Sequence, residues 1–387
     1  MKATALRFAL AAAGTALGAL LLGGAASAQD TIKIGVSQPL TGAFAASGNY
    51  VAQGAKLAEE AINTAGGVIG KKIELIVEDN KSNPTEAAAT AEKLIVKDKV
   101  PVMLGAWGSG LTLAIMPKLE EYKVPMVVET SSSGKITTSG NPYIFRISPT
   151  SEMEAKAFTP LFKSLGIKKA DFLSTNNDFG LGAAKEFSEA ATAQGVQVGV
   201  RETMDPKATD FSAQLAKIKA SGGDTVFVTT AVEQITLILK QAKDQQLGAR
   251  IITTGGSNSP EQLIQQAGEA ANGSLHLVFF TPWFTDAVKN PDVANKFVAA
   301  WNEKKYPVGG LTEGFRGWDG VTTIVEGIKA AGKAEPKAIQ QALWGVKVKG
   351  INGDIAFIKQ GPAGQESAQN VPSVYLVRID GGKVVKN

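Results

Sequence analysis

Two loops rich in glycine and hydroxyl-bearing residues are the parts of this sequence best suited to binding a small molecule. One runs from Gly105 to Gly110 and the other from Glu129 to Gly134, and each follows a short apolar stretch typical of a buried strand. In parallel α/β sheets, ligands bind outside the carboxyl ends of the strands, where helix N-termini offer free N–H groups. Serine and threonine hydroxyls add donors there without adding charge. The loops therefore predict a carboxylate site, and a solvated turn is the alternative interpretation of Ser131 to Ser133.

Two aromatic residues are candidates for the apolar wall of such a site. Trp107 lies inside the first loop, and Phe179 follows the polar stretch Asn176-Asn177-Asp178. Trp107 has a second interpretation as a packed core aromatic, because large aromatic side chains are mostly buried in globular proteins.

Several motifs that resemble catalytic sequences lack their necessary partners. The tripeptide Asp178-Phe179-Gly180 has no accompanying His-Arg-Asp loop, and Gly70-Lys71 lacks the upstream glycine and following hydroxyl of a phosphate loop. The glycine before Ser109 is one position too close for a nucleophile elbow. His276 lies in the middle of a predicted strand, where a structural role is the simpler explanation. None of these motifs predicts an enzyme.

The composition excludes most of the remaining chemistry. The chain has 387 residues, no cysteine and one histidine, so disulfides, thiol nucleophiles and paired histidine ligands are absent. Hydrophobic residues make up 44% and charged residues 20%, which is typical of a globular protein. A formal net charge of +4 is too small to indicate nucleic-acid binding. We expect no cofactor and no metal.

The N-terminus has the pattern of a secretory signal peptide. Lys2 and Arg7 precede an apolar run over residues 8–22, and the small-residue triplet Ala26-Ser27-Ala28 follows. A transmembrane anchor is the alternative, but the apolar run is shorter than the roughly 20 residues needed to span a bilayer. We therefore predict a signal peptide over residues 1–28, cleaved after Ala28, and a periplasmic mature protein.

The remainder of the chain alternates predicted strands and helices, which is typical of α/β folds with parallel sheets. The pattern restarts between Arg146 and Thr150, so we predict two doubly wound lobes. Late helices and hairpins at Asn352-Gly353 and Asp380-Gly381-Gly382 would complete lobes already begun, which requires three crossings between them. The predicted first lobe comprises residues 29–147 and 283–350, and the second comprises residues 148–282 and 351–387.

Helix starts are marked by capping patterns. Asn83-Pro84-Thr85-Glu86, Ser151-Glu152-Met153-Glu154 and Ser259-Pro260-Glu261-Gln262 each place a capping residue three positions before a glutamate or glutamine. We interpret all three as N-terminal caps.

Taken together, the ordered motifs resemble the solute-binding proteins of ATP-driven (ABC) importers, of the branched-chain amino acid-binding type. The resemblance covers nearly the whole mature chain. It rests on the following segments in order: Ile34 to Gly42, Ala61-Ile62-Asn63, Gly66-Gly67, Asp79-Asn80, Asn177 to Gly180, Thr209 to Ser212, and Gly223-Asp224.

The resemblance implies a type I periplasmic-binding fold, in which two α/β lobes joined by three crossing strands close over a ligand. It places Ser109 and Ser132 where family members hold the ligand's α-carboxylate, and Thr130 where a backbone carbonyl receives the α-amino group. Phe179 occupies the position of a covering aromatic residue. The remaining candidate ligand-binding residues are Trp107, Ser131, Glu233 and Ser47.

One departure from the family pattern concerns the ammonium group. Amino acid-binding members use a glutamate in a loop of the second lobe, whereas the matching stretch here, residues 253–258, contains no acid and has Gly255 at that place. An ammonium group buried without a carboxylate is costly. Either Glu233 or Asp178 substitutes for the missing acid, or the ligand is a 2-oxo or aromatic acid.

The function implied is capture of a small carboxylate-bearing ligand for an ABC permease, which the protein would contact transiently at the inner membrane. We expect a monomer that catalyses no reaction. A sensory binding protein of the same fold is the first alternative, and an exported hydrolase is the second.

Overall fold

The structure, a computed structural model, describes residues 31–256 and 258–387. The predicted signal peptide and its cleavage site at Ala28 lie outside these residues. Within them, no helix combines the length and apolar character needed to cross a membrane.

Two seven-stranded sheets form the framework of the molecule. The strands are β1 (Ile32–Gln38), β2 (Ile73–Asp79), β3 (Met103–Gly105), β4 (Met126–Val128), β5 (Ile144–Arg146), β6 (Lys169–Thr175), β7 (Gln197–Met204), β8 (Thr225–Thr229), β9 (Arg250–Thr253), β10 (Leu275–Val278), β11 (Val348–Gly350), β12 (Gly353–Ile355), β13 (Ile358–Gln360), β14 (Ser367–Gln369), β15 (Tyr375–Asp380) and β16 (Lys383–Lys386). The first sheet has the order β13-β14-β5-β4-β3-β1-β2, the second has the order β16-β15-β10-β9-β8-β6-β7, and β11 and β12 form a separate two-stranded sheet. β1 to β5 are paired in parallel, as are β6 to β10.

Helices connect these strands and cover both faces of each sheet. They are α1 (Ala45–Thr64), α2 (Pro84–Glu92), α3 (Ser109–Tyr122), α4 (Lys135–Thr138), α5 (Ser151–Ser164), α6 (Asp178–Ala193), α7 (Ser212–Ser221), α8 (Val232–Asp244), α9 (Pro260–Ala267), α10 (Pro291–Glu303), α11 (Leu311–Ala331) and α12 (Pro336–Leu343). Short 3-10 or π turns extend or precede several of them. The α/β class and the doubly wound arrangement are as predicted.

The buried apolar residues form two clusters for each sheet, one on each face. On the first sheet, α1, α10, α11 and α12 cover one face and α2 and α3 the other. On the second sheet, α7, α8 and α9 cover one face and α5 and α6 the other. Strands buried on both faces are largely apolar. Each sheet, together with the helices on its two faces, therefore forms a lobe with its own core.

The chain passes between the lobes three times. It leaves the first sheet after Arg146, returns after Val278, and enters the second sheet again between Gln369 and Tyr375. The three-crossing architecture predicted from the sequence is confirmed.

The predicted assignment of residues 351–387 to the second lobe is wrong for its first part. β14 pairs in parallel with β5, so residues 358–369 extend the first sheet, and only β15 and β16 join the second. β13 and β14 have three residues each, and β13 is largely exposed, so neither carries a periodic apolar signal.

Two of the three predicted caps differ from expectation. Asn83 accepts hydrogen bonds from the N–H groups of Thr85 and Glu86, as a cap should. In α5, however, the capping residue is Thr150, whose hydroxyl accepts from the Met153 N–H at 3.0 Å. Ser259 makes no side-chain cap and instead donates to the Gly309 carbonyl at 2.7 Å. In both cases the side chain predicted to cap is used for a tertiary contact.

Candidate functional site

The carboxyl ends of the parallel strands of both sheets face each other across a cleft. Each sheet reverses its strand order, between β1 and β3 in the first lobe and between β6 and β8 in the second. Such reversal points are the usual ligand sites of open α/β sheets, because the loops on either side separate there. The loops after β3 and β4 meet the loops after β6 and β9 at this point.

Six of the eight predicted site residues line one small cavity in this cleft. The cavity measures about 220 Å³ and is lined by Trp107, Gly108, Ser109, Thr130, Ser131, Ser132, Phe179 and Gly255. It shares Trp107, Gly108, Ser109 and Phe179 with a wider groove that is also lined by Phe44. The first lobe therefore supplies the hydroxyl groups, and the second lobe supplies Phe179 and a glycine.

The hydroxyl wall combines side chains with a helix N-terminus. Ser109 is the first residue of α3, and its Oγ accepts a hydrogen bond from the Ser133 N–H at 3.1 Å. The Ser151 hydroxyl donates to the Oγ of Ser132 at 3.3 Å across the cleft. Ser131 differs, because its hydroxyl donates to the Ala106 carbonyl at 2.7 Å and thereby ties the two loops together. Ser109 and Ser132 are the better placed of the three to meet a carboxylate.

Arg146, which the sequence analysis did not single out, holds the serine loop in position. Its guanidinium is fully buried at the end of β5 and donates to the carbonyls of Ser131 at 3.2 Å and Ser133 at 2.6 Å. It also donates to Thr137 and Gln369, at 2.6 Å in both cases. Burial lowers the pKa of Arg146 to about 9. The only sequence signal was an arginine inside an apolar strand, which requires compensating acceptors.

The apolar wall consists of three aromatic rings. Trp107 and Phe179 meet edge to face with ring centroids 6.4 Å apart, and Phe44 lies 4.9 Å from Trp107. The Trp107 indole N–H donates to Glu313 at 3.3 Å. Trp107 is thus both a packed aromatic residue and part of the cavity wall, so its two interpretations are compatible.

Gly255 closes the cavity on the side of the second lobe. Its φ of 87° lies in the left-handed region, and a Cβ atom there would come within 2.4 Å of the Phe179 ring. An acidic side chain at this position is incompatible with the observed Phe179 ring, which gives the missing acid a structural reason.

Neither proposed substitute for that acid lines the cavity. The Glu233 carboxylate accepts a hydrogen bond from the Ala46 N–H of the first lobe, and burial raises its pKa. The Asp178 carboxylate is paired with Lys135 at 2.8 Å at the rim of the cleft. Ser47 is also outside the cavity, and its Oγ has no hydrogen-bond partner among the described residues. Glu233 and Ser47 therefore lie apart from the other six candidates.

Buried ionisable groups that the sequence analysis missed lie next to the cavity. Burial raises the pKa of Glu129 to about 7 and that of Glu154 to about 8. The Arg316 Nε lies 3.1 Å from the Glu313 carboxylate, and its Nη2 donates to the Gly256 carbonyl at 2.8 Å. Glu154 had been interpreted as part of a capping box, which concealed its tertiary role.

The lobes are closed on one another. Four contacts join them around the cavity: Lys135–Asp178, Arg316–Gly256, Ser259–Gly309, and the Tyr50 hydroxyl to Gln262 at 3.4 Å. Contacts of this kind exist only when the cleft is shut, so the arrangement has the geometry of a clamshell that encloses a small molecule.

Comparison with known proteins agrees with this geometry. Residues 31–383 match the periplasmic binding protein family. The chain is 30% identical over 338 residues to the leucine-, isoleucine-, valine-, threonine- and alanine-binding protein of Pseudomonas aeruginosa, with 86% of this chain and 87% of that protein covered.

Solved structures with the same fold bind two kinds of acid. The substrate-binding protein LivJ of a Streptococcus pneumoniae branched-chain amino acid transporter, in complex with isoleucine, is 26% identical with a TM-score of 0.80, and 92% of this chain and 98% of that chain are covered. An ABC-transporter solute-binding protein of Rhodopseudomonas palustris, in complex with 3,4-dihydroxybenzoic acid, is 27% identical with a TM-score of 0.78 and coverage of 92% and 95%. The chain therefore belongs to the periplasmic binding protein family and has its type I, two-lobed fold.

Proposed function

We propose that this protein is the substrate-binding component of an ABC importer and encloses a small carboxylate-bearing ligand between its lobes. The observation that carries the proposal is the cavity itself, in which Ser109 and Ser132 face the aromatic pair Trp107 and Phe179 across the closed cleft. Hydroxyls and the N-terminus of α3 suit an anionic group, and the aromatic wall suits an apolar one.

The ligand class is a branched-chain or aromatic acid. Both kinds of ligand occur in similar proteins, one with isoleucine and one with 3,4-dihydroxybenzoic acid. The hydroxyl groups on one side of the cavity and the aromatic rings on the other suit an acid with an apolar body.

The proposal includes location and partners. We propose that residues 1–28 direct export and are removed before Gln29, that the mature protein is a periplasmic monomer, and that its closed form contacts the permease. No catalysis is assigned to it, because the histidine of a serine–histidine pair is unavailable: His276 is buried in β10 between Thr253 and Ser274.

The direct test is a thermal-shift screen of the mature protein, followed by calorimetry. The panel contains isoleucine, leucine, benzoate, 4-hydroxybenzoate and 3-methyl-2-oxopentanoate. A bound ligand raises the unfolding temperature by mass action. We expect at least one acid to bind, and loss of binding when its carboxylate is replaced by an amide; a panel without any binder contradicts the proposal.

A further inference from the structure

Behind the Gly255 wall of the cavity lies a buried carboxyl group with an unused oxygen. The Gly255 N–H donates to Oε1 of Glu154 at 2.7 Å. Glu154 is fully buried, and its Oε2 has no hydrogen-bond partner within residues 31–256 and 258–387. A buried polar atom without a partner carries a desolvation cost that a ligand donor would remove.

The helix that carries Glu154 also reaches the carboxylate side of the site. Ser151, one turn earlier in α5, donates to Ser132 at 3.3 Å. The first turn of α5 therefore spans the cleft from Ser132 to Gly255, which are two of the cavity-lining residues. The hydrogen bond to Gly255 places the Glu154 carboxyl behind this wall, so a ligand donor bound against Gly255 is on the side of the cavity nearest Glu154.

A side chain at position 255 could reach a ligand only with a strained backbone and a displaced Phe179 ring, because the φ of Gly255 is 87° and a Cβ there would lie 2.4 Å from that ring. Glu154 instead reaches the same wall from a different element, with its carboxyl held against the Gly255 amide. Arg316 is the charged group whose field acts on Glu154, but Arg316 is already paired with Glu313 and donates to Gly256.

We propose that Glu154 determines ligand specificity by accepting, through Oε2, a hydrogen bond from a donor group of the ligand whose carboxylate meets Ser109 and Ser132. The donor is an ammonium or a hydroxyl group. This inference rests on the proposed function and replaces Glu233 and Asp178 as the acid of the site: none of the three lines the cavity, but in the described part of the chain only the Glu154 carboxyl is hydrogen-bonded to a lining residue, Gly255.

The protonation state of Glu154 reports whether a ligand group donates to Oε2. Burial raises the pKa of Glu154 to about 8, so its carboxyl is mostly protonated at pH 7. A ligand ammonium group would favour the ionised carboxylate and displace about one proton on binding. A ligand hydroxyl that donates to Oε2 also requires the ionised carboxylate, because a protonated Oε2 would donate instead of accept.

The test compares ligands that differ only in the donor, with wild type and Glu154→Gln. The pairs are isoleucine against 3-methyl-2-oxopentanoate and 4-hydroxybenzoate against benzoate, measured by calorimetry at pH 7 in phosphate and in Tris. Glutamine keeps an acceptor for the Gly255 N–H and loses the second acceptor. We expect Glu154→Gln to weaken the preferred donor-bearing ligand at least tenfold and its donor-free partner less than twofold.

The buffer comparison identifies the donor. Release of about one proton by the preferred donor-bearing ligand, abolished in Glu154→Gln, supports donation to Oε2; isoleucine as that ligand identifies an ammonium donor, and 4-hydroxybenzoate identifies a hydroxyl donor. Glu152→Gln, an exposed change in the same turn of α5, is the matched control and should alter neither pair.

Four results overturn the inference. Equal weakening of both members of a pair would show that Glu154 only supports the fold, and unchanged affinity for both would show that the donor lies elsewhere. A wild-type protein that binds donor-free acids alone, with binding lost in Ser132→Ala, would overturn this inference while leaving the proposed function intact. Failure of wild type to bind any acid would contradict the proposed function and this inference with it.

Discussion

The hydroxyls of Ser109 and Ser132 are the groups expected to carry most of the carboxylate affinity. A hydrogen bond to a charged group contributes roughly 1.5–3 kcal/mol. We therefore expect Ser132→Ala and Ser109→Ala each to lower ligand affinity about tenfold or more in calorimetry. Ser139→Ala, which removes an exposed hydroxyl at the end of α4, is the control. Unchanged affinity in both site variants would show that the ligand carboxylate binds in another part of the cleft.

For Gly255 we expect an effect of the opposite kind, because adding a side-chain atom there would weaken ligand binding. In Gly255→Ala the new Cβ would meet the Phe179 ring at 2.4 Å, and the residue would keep a φ of 87°. A strained backbone of this type costs on the order of 1–3 kcal/mol before the clash is counted. We expect ligand affinity to fall at least tenfold and the urea midpoint to decrease.

The control for Gly255→Ala is Gly182→Ala in α6 of the same lobe. A Cβ at Gly182 meets no atom within 4 Å, and alanine is favoured over glycine inside a helix by about 1 kcal/mol. Gly182→Ala should therefore raise the urea midpoint slightly and leave binding unchanged. Equal behaviour of the two variants would show that the Phe179 contact does not constrain position 255.

For individual residues, the sequence predicted which side chains line the cavity better than it predicted the contacts of those side chains. Trp107, Ser109, Thr130 and Ser132 were found because they follow strands whose carboxyl ends must face a ligand. Glu154 was missed because its spacing from Ser151 also fits a local cap, and the choice between a cap and a tertiary contact depends on Gly255, a residue 101 positions away.

Among the elements, β5 has the greatest influence on the geometry of the site, through Arg146 at its end. Arg146→Lys keeps the charge but cannot reproduce donation from three nitrogens at once, Nε to Gln369, Nη1 to the carbonyls of Ser131 and Ser133, and Nη2 to Thr137. Buried carbonyls left without donors cost about 1–3 kcal/mol each. We expect the free energy of unfolding to fall by about 2–4 kcal/mol and the affinity to fall with it, because the serine loop loses its support.

The two effects of Arg146→Lys are separable by measuring urea unfolding and calorimetry on the same sample. Lys169→Ala, which removes a partly buried basic side chain that donates to the Ser221 carbonyl in the second lobe, should lower stability alone. An Arg146→Lys protein of normal stability and affinity would contradict the supporting role.

The order of strands and helices could be predicted from the sequence, whereas the sheet to which each late strand belongs could not. The hairpins at Asn352-Gly353 and Asp380-Gly381-Gly382 pair as β11–β12 and β15–β16, because their turn residues are local signals. β14 joins β5 by a long-range pairing of Ala368 with Phe145, and three residues carry too little pattern to reveal it.

For the whole molecule, several buried carboxyl groups couple protonation to folding. Glu129, Glu154 and Asp319 are buried near the junction of the lobes, and burial raises their pKa values to about 7, 8 and 7. His276, buried in β10, has its pKa lowered by burial to about 3. Raising the pH therefore lowers the folding stability that these carboxyl groups contribute and raises the stability that His276 contributes.

The sign of each contribution sets the pH window. A carboxyl whose pKa is raised in the folded state contributes stability that is complete below its unfolded pKa, 4.5 for glutamate, and that is lost as pH rises through the folded value. The His276 contribution is complete above 6.5 and is lost as pH falls toward 3. Between pH 6.5 and 8, Glu129, Glu154 and Asp319 therefore set how the free energy of unfolding changes with pH.

We therefore expect the free energy of unfolding to decrease by about 3 kcal/mol from pH 6.5 to pH 8, with Glu154 responsible for about half of this decrease. Urea unfolding followed by circular dichroism at several pH values in this window measures it directly. Glu154→Gln should halve the slope, because glutamine carries no titratable proton, while the exposed Glu152→Gln should keep the wild-type slope. A free energy that stays constant or rises between pH 6.5 and 8 would show that these carboxyl groups are already ionised in the closed protein. In that case Arg316, the cation whose field reaches both Glu129 and Glu154, offsets their burial more fully than its pairing with Glu313 indicates.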